Sequence, residues 1–358
     1  MKNRLWAVLR HPAARFAAAS LSPAVLLLLA ATLGGVWALA AFLWMTVFLF
    51  FADRLARRLG LVQPQTGEDV WTCRLAAGLG ALHFPLLLYS VFALSGGTGL
   101  GPMAWIFCFL GFGLWFGQVS NSCAHELIHR SDRARVWLGT WIYISLLYGQ
   151  HASAHRLVHH QFVATADDPN TAQVGEGFYD FLMRAWPGEF QAGYEMESAR
   201  HAARAGRGLA LHPYTIHLGG AALCLLVMGE AFGFAGLIVY LLIAAYAQLQ
   251  LLLSDYVQHY GLERRRIGLD GHESVGPEHS WDAPDFVSGL MMLHAPRHAD
   301  HHLHPARAYP DLALSPGGRA PLLPYSLPVM ASLALVPPLW RRLMDRRVAG
   351  LGRMGPGE

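Results

Sequence analysis

The chain has 358 residues, of which 54% are hydrophobic and only 14% are charged. A soluble domain carries about 25% charged residues, so this composition indicates a membrane protein. The formal net charge of +3 is too small and too scattered for a nucleic-acid-binding surface, and we expect no nucleic-acid partner.

The first apolar stretch runs from Phe16 to Ala52, which is too long for a single span of about 20 residues. The pair Gly34-Gly35 divides it, so we predict a helical hairpin with spans at 16–33 and 36–52. A cleaved signal peptide is excluded, because the apolar region is too long and further spans follow.

Four more spans are predicted, at 75–94, 102–122, 212–228 and 232–254. The prolines of the apolar segment 321–340 argue against a seventh. We therefore predict an all-α integral membrane protein with a six-transmembrane-helix bundle, forming a single catalytic domain over residues 1–358. The catalytic regions are expected to follow the fourth and sixth spans, at 123–211 and 255–348.

Basic residues predict the orientation of this bundle. The connections at 34–35, 95–101 and 229–231 contain neither lysine nor arginine, whereas the opposite side contains clusters such as Arg264 to Arg266. Because positive loops face the cytoplasm, we expect a multi-pass membrane protein with both termini cytoplasmic. For a bacterial chain this means the inner (plasma) membrane. Nearly all the histidines of metal-ligand spacing fall on that side, which predicts a cytoplasmic histidine-rich cap.

Three histidine clusters have the spacing of metal ligands. They are the motifs H-x-x-x-H at 125–129, H-x-x-x-H-H at 155–160 and H-x-x-H-H at 298–302. Residues four apart share a helix face, so the imidazoles of one cluster are predicted to reach one metal centre. The four cysteines are far apart without a C-x-x-C pair, which excludes a cysteine-based metal site.

The number of imidazoles predicts how many metals bind. The three clusters contain eight histidines, and His259 after the sixth span is a ninth. A zinc site takes three or four protein ligands, so two metals are indicated. Imidazole suits zinc, copper, iron and nickel, and spacing alone leaves the metal open. Glu126 and Asp300 are predicted to orient imidazoles rather than to bind metal directly, which is the alternative.

The motifs, taken in order, resemble those of the membrane fatty acid desaturase and hydroxylase superfamily, and within it the alkane 1-monooxygenases. HELIHR (125–130) is similar to their first box and HRLVHHQFVATADDPNTAQVGEGFYDF (155–181) to their second box with its tail. DYVQHYGL (255–262) resembles their tyrosine-containing box, and RHADHHLHP (297–305) their last box. LPVMASLALVPPLWRRLMDRRV (327–348) is similar to their C-terminal segment, so the resemblance covers most of the chain.

This resemblance implies a monooxygenase that uses molecular oxygen and two non-haem irons to hydroxylate the terminal carbon of medium- or long-chain alkanes. The iron ligands would be His125, His129, His155, His159, His160, His259, His298, His301 and His302. Electrons would come from a separate rubredoxin with its reductase. We expect no rubredoxin fused to this sequence, because it contains no C-x-x-C pair. Departures from the family pattern occur at Ala154, Asp255 and Gln258, where Glu, Asn and Glu are expected.

A separate electron carrier needs a docking surface on the cytoplasmic side. Rubredoxins are usually acidic, so complementary charge would steer the encounter. The candidate basic residues are Arg204, Arg207, Arg264, Arg265, Arg266, Arg341 and Arg342.

Two other functions remain open from the sequence. A membrane fatty acyl desaturase or hydroxylase would use the same irons, although D-Y-x-x-H-Y-G and R-H-x-D-H-H favour the alkane branch. A histidine-rich metal transporter would place ionisable ligands near the middle of the membrane, where these spans contain almost none.

Overall fold

The computed structural model describes residues 11–61, 65–204, 211–268 and 271–351. These residues are mainly helical. The two strands that they contain, β1 (Arg266–Ile267) and β2 (Gly271–His272), form a small antiparallel hairpin in which Arg266 lies opposite His272. The prediction of an all-α membrane fold is confirmed at this level.

Five helical stretches of the described chain are long and apolar enough to cross a membrane: Pro12–Leu33, Gly35–Arg58, Val70–Gly97, Pro102–Ile128 and Pro213–His259. The first is α1, and the second comprises α2 (Gly35–Leu43), a π-helical turn and α3 (Leu49–Arg58). The third contains α4 (Val70–Phe92). The fourth comprises α5 (Pro102–Trp115), a π-helical turn at Phe116–Ser120 and α6 (Asn121–Ile128). The fifth is numbered α11 below.

The remaining helices lie between and after these stretches. They are α7 (Arg133–Ser145), α8 (His151–Ala154), α9 (His160–Phe162), α10 (Phe178–Ala203), α12 (Phe286–Met291), α13 (His298–Leu303), α14 (Leu327–Ala334) and α15 (Pro337–Leu351). A π-helical turn, His155–His159, joins α8 to α9. The apolar segment 321–340 is split between α14 and α15 at Pro337, which agrees with the prediction that it does not span.

The N-terminal hairpin turns at Gly34, whose backbone has φ 62° and ψ −148°. This region is accessible in practice only to glycine. Gly34 ends α1 and lets α2 begin at once in the opposite direction. The two helices therefore pack together.

The 47-residue helix α11 (Pro213–His259) is interrupted at Gly233, which has φ 66° and ψ −168°. A straight helix would separate residues 217 and 248 by about 46 Å. Instead, His217 packs against Gly149, and Gln248 Nε2 donates to the Leu146 carbonyl at 2.7 Å. Both halves therefore reach the same turn, and α11 folds back on itself. We call residues 213–232 α11a and residues 234–259 α11b.

The fourth apolar helix extends six residues beyond its predicted end at 122, since α6 continues to Ile128. This extension carries His125 and ends beside His129. Likewise α11b continues past the predicted end at 254 to His259. The long apolar helices therefore also carry His125 and His259, which ties these side chains directly to the bundle.

Candidate metal centre

The nine predicted histidines gather into two groups at one end of the bundle. The five-histidine group contains His125, His129, His155, His160 and His301, and the four-histidine group contains His159, His259, His298 and His302. Within each group, the candidate ligand nitrogens all lie within 4.8 Å of one another. Residues almost 180 positions apart are thus brought to one place.

The ring nitrogens converge more closely than hydrogen bonding explains. His160 Nε2 lies 3.0 Å from the Nε2 atoms of both His155 and His301, and 3.2 Å from that of His129. A neutral imidazole has one donor and one acceptor, so one nitrogen cannot satisfy three others. With a metal–nitrogen bond of about 2.1 Å, two imidazoles at a right angle around an ion place their nitrogens about 3.0 Å apart.

The four-histidine group shows the same spacing. His298 Nε2 lies 3.0 Å from His259 Nε2 and 3.1 Å from His302 Nε2. His159 Nε2 is buried without a hydrogen-bond partner. This geometry and donor chemistry fit a second metal ion.

A π-helical turn decides how the second cluster is divided. The His160 backbone N–H donates to the His155 carbonyl, five residues earlier. In a π turn, residues five apart come into line, so His155 and His160 face the same group. An α-helix would have aligned His155 with His159, as the sequence predicted, and that pairing is wrong.

The single turn of α13 divides the third cluster. His298 and His302, four residues apart, belong to the four-histidine group, whereas His301 points to the five-histidine group. The prediction that each cluster serves one centre therefore holds for His125 and His129 but is wrong here too. Because the second and third clusters each serve both groups, the two centres are built jointly.

Buried neighbours orient two members of the four-histidine group. Asp168 Oδ2 lies 2.9 Å from His159 Nδ1, and Asp168 also accepts from Thr171 Oγ1 at 2.7 Å. Burial lowers the pKa of His159, but the charge of Asp168 and its hydrogen bond outweigh burial, and the net pKa is raised. His259 Nδ1 lies 3.3 Å from the His279 carbonyl oxygen. In both histidines, Nδ1 is thus occupied and Nε2 is left for the centre.

The other imidazoles outside the apolar helices are held neutral. Burial, together with neighbouring imidazoles, lowers the pKa of His160, His301 and His302 well below the usual value. A neutral imidazole keeps a lone pair available for a metal at neutral pH.

A cavity opens beside both groups, between α6, α11b and α14. His125, His155 and His298 are among the residues that line it. Its apolar wall includes Leu251 and Leu327. The cavity therefore lies against imidazoles of both groups and has an apolar wall beside them.

Comparisons with known proteins agree with this site. Residues 100–331 match the family model for fatty acid desaturases. The chain is 30% identical to alkane 1-monooxygenase 2 of Alcanivorax borkumensis, over 80% of this chain and 74% of that protein. It is 32% identical to the alkane 1-monooxygenase of Ectopseudomonas oleovorans, over 75% of this chain and 66% of that protein.

The chain belongs to the alkane monooxygenase family. The predicted resemblance is thus confirmed, and the chain is an oxidoreductase of the monooxygenase type. A more distant relative is the hydroxylase component of the xylene/toluene monooxygenase of Pseudomonas putida, which is 26% identical over 67% of this chain and 63% of that protein. The chain spans about two thirds to three quarters of the length of the two alkane 1-monooxygenases.

The carboxylates predicted to orient imidazoles in this monooxygenase have other partners. Glu126 forms an ion pair with Arg130. Asp300 pairs with Arg307 and accepts from the Ala313 backbone N–H at 2.9 Å. Among the described contacts, neither carboxylate hydrogen-bonds to one of the nine histidines. The orienting role of Glu126 and Asp300 therefore stays a prediction, since their described partners are arginines and a backbone N–H.

Sequence reasoning missed Asp168 and Glu189. Asp168 lies in the tail of the second box, within 155–181. An acidic residue close to the histidine motif was the signal that could have identified it. Glu189 lies on α10 and accepts from Tyr148 Oη at 2.6 Å, with His151 Nδ1 also 2.6 Å away. A single glutamate in an amphipathic helix carries no local signal, since only packing of α10 on α8 buries it.

Proposed function

We propose that this chain hydroxylates the terminal carbon of medium- or long-chain alkanes to 1-alkanols, using molecular oxygen, two non-haem irons and electrons from rubredoxin. The observation that carries the proposal is the convergence of nine imidazoles in two groups beside a cavity with an apolar wall. The names of its relatives support alkanes as the substrate class.

The donor set and the family of the chain support iron at both positions. The five imidazoles of one group exceed the four ligands of a typical zinc site. Imidazole suits iron as well as zinc, copper and nickel, so iron at the four-histidine group rests on the family of the chain. An unactivated C–H bond offers no handle for acid–base or nucleophilic attack. Bound irons would supply the reduction of oxygen to an oxidant strong enough for that bond.

The protein's own residues position and enclose the reaction. Asp168 and the His279 carbonyl fix ring orientation in the four-histidine group, which typically matters about 10–100-fold for metal affinity or activity. Leu251, Met292 and Leu327 line the cavity and limit water. An extended hydrocarbon entering there presents its end to His125, His155 and His298.

We further propose that the bundle crosses the membrane six times, with the histidine groups and both termini on the cytoplasmic side. The breaks at Gly34 and Gly233 support two hairpins, which divide the apolar helices into six segments. The arginine distribution supports the orientation. Reporter fusions after residues 96 and 231 should give periplasmic signals, and a fusion at 204 a cytoplasmic one.

A surface pocket beside Asp168 supports an electron-donor site. We call it the Asp168 pocket; its residues include Thr165, Asp167, Asp168, Arg184, Arg264 and Arg266. Because Asp168 also contacts His159, this is a short route from the surface to the four-histidine group. Arg265 and Arg266 are exposed near this pocket. Arg264 donates to the Gln161 and Glu273 carbonyls. Arg207 lies outside the described residues.

The deciding experiment is conversion of an alkane series by cells that co-express the chain with a rubredoxin and its reductase. Primary alcohols, together with two irons per chain in the purified protein, would support the proposal. Alkenes from acyl lipids would indicate a desaturase instead. Metal uptake without oxidation of any substrate would indicate a transporter.

A further inference from the structure

The C-terminal helix α15 has one face against the bundle and an opposite face that is exposed. Its inner face repeats every four residues and packs through Trp340, Met344 and Val348. Its outer face contains the exposed residues Leu339, Arg342 and Arg346. The outer face is therefore apolar where the helix begins and basic further along the chain.

Contacts with α11b show how deep each part of this C-terminal segment lies. The sixth apolar span was predicted at 232–254, so Leu251 lies within the apolar layer and Tyr256 lies just beyond it. Leu327 lines the same cavity as Leu251. The ring of Trp340 packs on the ring of Tyr256, with centroids 5.2 Å apart. The chain therefore leaves the apolar layer between Leu327 and Trp340, which is where α15 begins.

Exposed apolar and aromatic side chains mark this boundary. Leu335, in the turn before α15, and Leu339 are both exposed. Tyr179 of α10 is exposed as well, and its Oη atom donates to the Leu335 carbonyl at 3.0 Å. Trp186, seven residues further along α10, is also exposed. Tyrosine and tryptophan are enriched at the interface between membrane and water, so these residues place the start of α15 at the membrane surface.

The basic part of α15 carries a positive charge that the described residues do not neutralise. Arg342, Arg346 and Arg347 are exposed, and none of them forms an ion pair or a side-chain hydrogen bond with another residue of the described chain. The single acidic residue of the helix is Asp345, whose Oδ1 atom accepts from Tyr260 Oη at 2.6 Å. A basic cluster next to an apolar membrane surface is complementary in charge to anionic lipid headgroups.

The spacing along the helix fits the headgroup layer. A bilayer of about 40–45 Å with a hydrocarbon core of about 30 Å leaves roughly 5–8 Å for the headgroups on each side. Arg342 and Arg346 lie about 5 and 11 Å beyond Leu339 along the helix axis. Arginine side chains are long enough to keep their charged ends in the polar layer while their stems lie on apolar surface. Both guanidinium groups can therefore reach lipid phosphates while Leu339 contacts acyl chains.

We propose that α15 binds anionic phospholipids of the adjacent membrane leaflet, with Leu335 and Leu339 among the acyl chains and Arg342 and Arg346 on the phosphate groups. The lipid would also support the metal centre, because the inner face of α15 packs on the segment that carries His259. This inference goes beyond the proposed reaction and rests only on the proposed membrane topology.

The test titrates the purified protein in detergent with dioctanoyl phosphatidylglycerol or with dioctanoyl phosphatidylcholine and follows the Tm. Because a ligand stabilises the folded state that it binds, phosphatidylglycerol should raise the Tm of the wild type more than phosphatidylcholine does. Each arginine near an anionic surface contributes about fivefold in affinity. Arg342→Gln with Arg346→Gln should therefore raise the phosphatidylglycerol concentration needed for a given rise in Tm by about 5- to 25-fold. Arg342→Lys with Arg346→Lys keeps the charge and should behave as the wild type.

A second pair of exposed arginines separates lipid binding from protein binding. Arg265→Gln with Arg266→Gln, beside the Asp168 pocket, should leave the phosphatidylglycerol requirement unchanged. The glutamine variant of α15 should leave the apparent KM for rubredoxin unchanged. A raised KM with an unchanged lipid requirement would overturn the proposal and assign α15 to the electron carrier.

The remaining outcomes also decide the proposal. Equal Tm shifts with the two lipids, or an unchanged lipid requirement in the glutamine variant, would overturn it and leave these arginines as a solvated face. A periplasmic signal from the reporter fusion at residue 204 would overturn the proposed topology instead. The lipid titration of purified protein would then still decide whether α15 binds anionic phospholipid.

Discussion

The two histidine groups differ in how the protein surrounds them. In the four-histidine group, all members are buried, and Asp168 and the His279 carbonyl fix two of them. In the five-histidine group, His125, His129 and His160 are only partly buried. The first group is therefore held by a rigid shell, whereas the second is more open. The two groups therefore differ in burial and in support as well as in the number of histidines.

Removing a histidine from either group should have the largest effect. We expect His155→Ala, His159→Ala and His302→Ala to abolish hydroxylation, because each removes a nitrogen from a converging set. Iron content should fall from two towards one per chain, which metal analysis of purified protein measures. Wild-type activity at matched expression would remove that histidine from the ligand set.

Replacing the carboxylate that anchors the four-histidine group should have the next largest effect. We expect Asp168→Asn to lower activity about 10–100-fold, since it removes the negative charge that orients His159. Asp167→Asn is the matched control. Asp167 is the exposed neighbour of Asp168, and among its described contacts none is with a histidine of the two groups. Steady-state rates at saturating rubredoxin measure both. Equal activity of the two variants would contradict an orienting role for Asp168.

Neutralising the surface near the same group should have a smaller effect. We expect Arg265→Gln with Arg266→Gln to raise the apparent KM for rubredoxin about two- to fivefold, as exposed charge pairs usually contribute modestly. Added salt should reproduce the effect in the wild type, because it screens exposed charges. Arg264 is left in place, since it holds two backbone carbonyls. An unchanged KM that is also insensitive to salt would restrict these arginines to a topological role.

The smallest effect is expected for a histidine outside both groups. His201 is exposed in the last turn of α10, and His201→Ala should leave activity and iron content unchanged. A large loss of activity in this variant at matched expression would show that activity also depends on histidines outside the two converging groups.

Much of the fold was predictable from local patterns. Apolar length located the helices, and Gly34 marked a hairpin because its backbone conformation suits only glycine. The second hairpin was placed at residues 229–231, whereas the break lies at Gly233. The fourth and sixth spans were predicted to end too early, at 122 and 254, whereas the helices continue to Ile128 and His259. Hydropathy does not reveal that a helix continues into a buried polar region.

By itself, the sequence determined which nine imidazoles are available and that they lie at one end of an apolar bundle, because spacing and hydropathy are local properties. Tertiary structure alone decided how they are divided. The π turn aligns His155 with His160, and α13 places His301 opposite His298 and His302. It also brought Asp168 to His159. No hydropathy or spacing pattern encodes these features, because they depend on the backbone path at the π turn and on how the surrounding segments pack together.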